Sequence, residues 1–306
     1  MYTFIILFLA LIFIFLSVCY ITFSHTFYTK RNLHATLYHG LDGELDDKKR
    51  ARRAAIEELS KLPYEEVFIK SQDGKTLFAR YYHKSESAPL IIQLHGYRSM
   101  ALRDFSNAAL ECISLGYNLL LIDERAHGKS EGNIISFGIK ERYDVLSWVD
   151  YCRARFGDKT RIFLYGISMG AATTLMACEI NLPECVKGII ADCPFSSPSE
   201  IIKKVSRDRG FPAGILYPFI KLGAIIFGGF NPDAASPASA VKKSKIPILL
   251  IHGLGDSFVP AYMSEKIARG SELVRYVEIE DAPHALSILY NRELYVSSIK
   301  NFIENT

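Results

Sequence analysis

Residues 161–178 constrain this chain more than any other stretch. They read Arg-Ile-Phe-Leu-Tyr-Gly-Ile-Ser-Met-Gly-Ala-Ala-Thr-Thr-Leu-Met-Ala-Cys. A short apolar run, Ile162 to Tyr165, meets Gly166-Ile167-Ser168-Met169-Gly170, and an alanine-rich helical pattern follows. The order is strand, sharp turn, helix. A serine at the tip of such a turn sits in strained backbone, and Gly166 and Gly170 remove the β-carbons that would collide with the adjoining strand and helix. Ser168 then stands at a helix N-terminus, where unpaired backbone N–H groups can receive negative charge.

The segments around it set the fold class. Val67–Lys70, the Asp73-Gly74 turn and Leu77–His83 read as a β-hairpin. Pro89–Gly96, Tyr117–Asp123, Val186–Cys193, Ile246–His252 and Val274–Glu280 read as further strands, with helices over 104–115, 143–152 and 291–303 between or after them. In the 143–152 helix, Tyr143, Val145, Leu146, Trp148, Val149 and Cys152 are expected mostly on one face. Strands alternating with helices imply an α/β fold, a mostly parallel sheet covered on both faces. Phe195–Lys245 breaks the alternation. Its apolar part, Phe211–Phe230, is interrupted by Pro212, Pro218 and glycines and carries Lys221, which favours a small helical cap over a second membrane span.

The chain opens with an uncharged apolar run, Phe4–Phe23. At ~1.5 Å per residue it spans ~30 Å, about one hydrocarbon core. No Lys or Arg precedes it and no Ala-x-Ala-like site follows, which favours a retained single-pass membrane anchor over a cleaved signal. Leu16-Ser17-Val18-Cys19 is an imperfect lipoprotein box, with bulky Val18 before the cysteine. Lys30, Arg31 and the basic segment Lys48–Arg53 follow the run, so the positive-inside rule leaves the body cytoplasmic.

The expected organisation is an anchor over 1–25, a juxtamembrane segment over 26–64, and one α/β domain over 65–306 with its cap at about 195–245. The juxtamembrane segment carries a charged helix, Asp46–Leu59, ended by Pro63. Its basic face fits solvent better than anionic headgroups. His25, His34 and His39 lack a ligand spacing. The net charge of +3 comes with no basic stripe, which argues against nucleic acid as a partner. None of the six cysteines forms a Cys-x-x-Cys pair, and they read as small buried hydrophobes.

A serine hydroxyl is a poor nucleophile near neutral pH; it needs a base, and the base needs an orienting carboxylate. Asp256, in Gly-Leu-Gly-Asp-Ser-Phe-Val-Pro, and His284, in Glu-Asp-Ala-Pro-His-Ala, each follow a predicted strand on the same sheet edge as Ser168. Asp192 is the rival acid and Asp281 a weaker one. Asp256 has a blander alternative as a helix cap, and His284 as a surface histidine. The backbone N–H groups of Tyr97 and Met169 suit an oxyanion hole. His95 reads as a loop brace.

These residues resemble the α/β-hydrolase superfamily over roughly 65–305, in the order Ser168, Asp256, His284. His-Gly-Tyr at 95–97, Asp-Glu-Arg-Ala-His-Gly-Lys-Ser-Glu-Gly at 123–132 and Ile-Pro-Ile-Leu-Leu-Ile-His-Gly-x-x-Asp at 246–256 are similar to loops of monoglyceride-lipase-like and serine-aminopeptidase-like members. With its anchor, the chain resembles bacterial membrane-attached hydrolases. The resemblance implies an eight-stranded sheet and transfer of an acyl group to water, with no metal or organic cofactor and a small-molecule acyl substrate. A serine at the elbow argues against relatives that open epoxides or remove halides through an aspartyl ester. Asp123, Arg125, His127 and Ser130 are expected to brace a loop beside the pocket. The apolar cap and anchor favour a lipophilic ester or thioester. A peptidase, an acyltransferase and a non-catalytic membrane-tethered binding module are the alternatives.

Overall fold

A computed structural model describes residues 1–30, 37–39, 41 and 46–306. Arg31 and His34 of the juxtamembrane stretch lie outside the described residues.

The eight strands form one sheet in the order β1-β2-β4-β3-β5-β6-β7-β8. They are β1 (Glu65–Lys70), β2 (Thr76–Tyr82), β3 (Leu90–Leu94), β4 (Asn118–Asp123), β5 (Ile162–Ile167), β6 (Val186–Asp192), β7 (Ile248–Gly253) and β8 (Val274–Ile279). β2 runs antiparallel to β1 and β4, and every other pair is parallel. β3, β4, β5 and β7 are buried along their whole length, whereas the edge strands β1 and β8 are partly exposed. Continuous apolar runs mark strands covered on both faces, which is why their periodicity is weak in the sequence.

The main helices are α1 (Tyr2–Phe27), α2 (Asp47–Lys61), α3 (Ser106–Ser114), α4 (Glu141–Phe156), α5 (Met169–Met176), α6 (Pro198–Asp208), α7 (Ala213–Gly228), α8 (Tyr262–Ala268) and α9 (Arg292–Glu304). Trp148 of α4 and Leu175 of α5 belong to the core on one face of the sheet, and Phe105, Ile299 and Phe302 to the core on the other. On α4, Val145, Trp148, Val149 and Cys152 are buried as expected; Tyr143 is the exception and is exposed, while Glu141, Arg142 and Asp144 are buried. Each buried charge has a partner, which offsets its desolvation. Glu141 accepts from Ser136 N at 2.7 Å, Arg142 pairs with Glu179 at 2.8 Å, and Asp144 with Arg125.

α2 carries an N-cap at Asp46, whose carboxylate accepts from Lys49 N at 2.8 Å. Its Ile56 and Leu59 are fully buried, Leu59 in the same core as Phe105 and Ile299. Arg52 faces inward and donates to Ala285 O at 2.7 Å.

α1 is the one described helix long and apolar enough to cross a membrane, with mean hydropathy 3.1. It extends past the apolar run to Phe27, because tertiary contacts hold its last turn. Phe27 is fully buried against Phe137 and Phe230, and Ile135 N donates to its carbonyl at 2.8 Å. Tyr28 then forms a bridge with Ile134. α6 and α7 lie between β6 and β7, as the cap. All six cysteines are free, and all but the half-buried Cys178 are buried.

Candidate active site

β5 ends at Ile167, and α5 begins at Met169. Between them Ser168 adopts φ 56° and ψ −114°, a left-handed strained conformation for a residue with a β-carbon. The turn demands glycine on both sides. A Cβ at Gly166 would stand 2.3 Å from Ala171 N, and one at Gly170 would stand 2.0 Å from Leu94 O.

The structure brings three predicted side chains into one hydrogen-bonded chain. His284 Nε2 lies 2.9 Å from Ser168 Oγ, and His284 Nδ1 lies 2.6 Å from Asp256 Oδ2. The second carboxylate oxygen of Asp256 accepts from Phe258 N at 2.9 Å and Val259 N at 2.8 Å, so the residue also shapes its loop. Burial pushes the Asp256 carboxyl up. Hydrogen bonds from His252 and His284 outweigh that and hold it well below the usual carboxylate range.

Asp192 is engaged elsewhere. It accepts from Tyr295 Oη at 2.8 Å and Ser287 Oγ at 3.3 Å, and burial raises its pKa. Asp281 lies just past β8 at φ 54°, and among the described residues the ring nitrogens of His284 meet Asp256 and Ser168 instead.

Gly96 brings the 95–98 loop against the serine: a Cβ there would lie 3.4 Å from Ser168 Cβ. Tyr97 and Met169 both line the cavity beside Ser168. The Met169 amide opens α5, where an N–H has no carbonyl one turn back. Two buried histidines hold the loop. His95 Nε2 accepts from Glu124 N at 3.1 Å, and His127 Nε2 accepts from Arg98 N at 3.0 Å. Burial, then the neighbouring His95, push His127 down to about 3, so it stays neutral and can accept. Asp123 accepts from Lys129 N at 3.0 Å and Ser130 from Phe78 N at 2.9 Å, while Arg125 bridges Asp73 and Asp144. All four brace their loop.

Three contributors had escaped the sequence reading. His252, fully buried at the end of β7, sits 3.3 Å from Asp256 Oδ2. Its imidazole inside an otherwise apolar strand was the available signal. Arg52 ties α2 to the residue after His284. Finally, α1 contributes Ile21, Thr22, His25 and Thr26 to the cavity of about 400 Å³ over Ser168. Tyr97 Oη donates to Thr26 O at 2.6 Å, and Arg98 to His25 O at 2.8 Å. Nothing in local periodicity pointed to those two contributions.

Among the described residues, one group has metal-ligand spacing: Cys193, Asp256 and His284, with ligand atoms within 4.8 Å of one another. Burial pushes the Cys193 thiol well up, away from the thiolate a metal needs.

The architecture and elbow define an α/β hydrolase, and comparison with known proteins agrees. The family described as "Serine aminopeptidase, S33" matches residues 85–222. The uncharacterised protein YqkD of Bacillus subtilis is 26% identical over 260 residues, covering 77% of this chain and 85% of that one. The lysophosphatidylserine lipase ABHD12 of Danio rerio is 26% identical over 237 residues, covering 72% of this chain and 58% of that one. The Pyrococcus furiosus esterase PF2001 superposes with a TM-score of 0.65 at 24% identity, covering 81% of this chain and 93% of that one. The chain has the α/β-hydrolase fold, is similar to members of that superfamily and is an enzyme of the α/β-hydrolase type.

Proposed function

We propose that the protein is a membrane-anchored serine esterase that cleaves a lipophilic carboxylic ester or thioester through an acyl-enzyme. The observation that carries this reading is the Ser168–His284–Asp256 hydrogen-bonded chain at the floor of a largely apolar cavity. His284 Nε2 takes the Ser168 proton as Oγ attacks the carbonyl carbon. Asp256 accepts from Nδ1–H, holds the reactive tautomer and stabilises the imidazolium. The Tyr97 and Met169 amides receive the oxyanion. His284 then protonates the leaving alcohol or thiol. Water, deprotonated by the same nitrogen, releases the acid and restores Ser168. No step calls for a metal or an organic cofactor.

The substrate class rests on the cavity lining. Its side chains are mostly apolar, with Phe137, Phe195, Leu216 and Ile220 among them, and its charged members among the described residues are Arg98 and Arg209. A carboxylate to hold a substrate α-amine, which an aminopeptidase needs, is not among those side chains. Two guanidinium groups favour an acyl ester bearing an anionic group, a preference compatible with the lysophosphatidylserine lipase relative. α1 serves as a single-pass anchor, with the basic residues after it favouring a cytoplasmic body.

The test is full-length protein in detergent treated with a fluorophosphonate, with the adduct located by mass spectrometry. Labelling at Ser168, abolished in Ser168→Ala, and hydrolysis of long-chain monoacyl esters are expected. A folded protein that neither labels nor cleaves any ester overturns the esterase reading in favour of a binding module. Transfer of the acyl group to an added alcohol in preference to water assigns it as an acyltransferase.

A further inference from the structure

α7 is a 16-residue cap helix with an unusual outer face. Phe211 just before it and Ile215, Pro218, Ile225 and Ile226 on it are all exposed. With half-buried Leu222 between Pro218 and Ile225 they recur every three or four residues, Ile226 lying beside Ile225, so they form a stripe along one side. Lys221 is the helix's sole charge, and it is paired with Asp233 at 2.8 Å. A surface helix of a globular protein ordinarily keeps its outward face polar. A continuous exposed apolar stripe needs a covering surface.

The neighbour of α7 says what that surface is. α7 packs along α1 in the same direction, because the contacts advance together: Phe15 with Phe219, Cys19 with Gly223, Phe23 with Phe227. Gly223 permits the approach; a Cβ there would stand 2.3 Å from Cys19 O. α1 has 26 residues, and at ~1.5 Å each it is about 39 Å long, longer than a hydrocarbon core of about 30 Å. Its first turns are exposed and uncharged, while Cys19, Phe23 and Phe27 are buried in the protein. A bilayer that surrounds the first part of α1 therefore reaches the start of α7, which points the same way.

The cavity opens at this place. Ile21 of α1 and Phe211 before α7 both line it, and they are 65% and 54% exposed. Further in, Arg209 Nη1 lies 3.1 Å from His25 Nε2, a polar pair beyond the apolar part of α1.

We propose that the start of α7 is immersed in the same bilayer that surrounds the exposed part of α1, and that the cavity takes its acyl substrate from the leaflet nearest the protein body, between Ile21 and Phe211. The site is then fed by lipid that never crosses water. The proposal deepens the esterase reading and rests on it for the identity of the reacting atoms.

The experiment uses full-length protein in phosphatidylcholine nanodiscs. In one arm, Ile215→Trp is probed with brominated acyl chains, against Glu272→Trp, an exposed site elsewhere, and the buried Trp148 as background. Quenching at 215 and none at 272 is expected. In the other arm, Ile215→Glu is assayed on a water-soluble butyrate ester and on a long-chain monoacyl ester held in the disc. Ile215 is 69% exposed and outside the cavity lining, so the soluble ester should turn over as before. A carboxylate in hydrocarbon is costly enough to lower the rate on the bilayer ester about tenfold. Absence of quenching at 215, or an unchanged bilayer rate in Ile215→Glu, overturns the proposal. Failure of the esterase reading looks different: neither ester is cleaved and Ser168 takes no fluorophosphonate, while the quenching arm still decides where α7 lies.

Discussion

Tyr97 Oη donates a 2.6 Å hydrogen bond to the carbonyl oxygen of Thr26, in the last turn of the apolar helix. The same tyrosine follows Gly96, where an added Cβ would lie 3.4 Å from that of Ser168. One side chain thus couples the apolar first helix to the loop beside the nucleophile. Removing the hydroxyl should cost about 1 kcal/mol of stability, typical for a single hydrogen bond. It should also slow acylation severalfold while the backbone N–H stays in place. Fluorophosphonate labelling rates of wild type and Tyr97→Phe in detergent measure this; equal rates would uncouple the helix from the site.

The two acids should separate cleanly. Asp256 holds His284 at 2.6 Å, whereas Asp192 accepts from Tyr295 and Ser287. Asp256→Asn should lower kcat about 10⁴-fold, the order seen when a triad carboxylate loses its charge. Asp192→Asn should cost about 1–3 kcal/mol of stability and leave most of the activity. Steady-state kinetics on a soluble ester, read beside denaturant midpoints, distinguish the two outcomes. The reverse ranking would make Asp192 the functional acid.

His127 links stability to pH. Its pKa is about 3 in the folded protein, against an ordinary 6.5. Between those values the unfolded chain takes up a proton that the folded chain refuses. Stability therefore falls as pH drops from 6.5 toward 3, by up to about 1.4 kcal/mol per pH unit. Above 6.5 the group contributes no slope. Denaturation of wild type and His127→Gln across this window should differ by about one proton in slope. Parallel curves would mean that His127 is protonated when folded.

Gly223 should be intolerant of a side chain for a packing reason, since the carbonyl of Cys19 occupies the space a Cβ needs. Gly223→Ile is expected to cost about 1–3 kcal/mol, as overpacking does. It should separate α1 from α7 and raise trypsin cleavage at Lys30. Thermal unfolding in detergent and limited proteolysis read both effects.

Much of the architecture was legible because it is local. The apolar runs of β3, β4, β5 and β7, the charged helix α2 and the glycine-flanked serine each depend on residues a few positions apart. Tyr143 marks the boundary of that legibility. Its apolar neighbours suggested a buried face, but partners for Glu141, Arg142 and Asp144 drew the charged residues inward and left the tyrosine outside. Those partners lie on other loops and helices, where helical periodicity carries no information.

The site divides the same way. The sequence by itself determined the strand–turn–helix around Ser168, with Asp192 at the end of one strand and Asp256 and His284 after the next two, because backbone geometry at a tight turn and strand order follow from neighbouring residues. Only the tertiary structure decided which carboxylate faces His284, that Arg52 of a seemingly peripheral helix braces the residue beside it, and that the first helix forms a wall of the cavity. Each of these joins residues well separated along the chain, and such contacts depend on how packed layers meet rather than on any local preference.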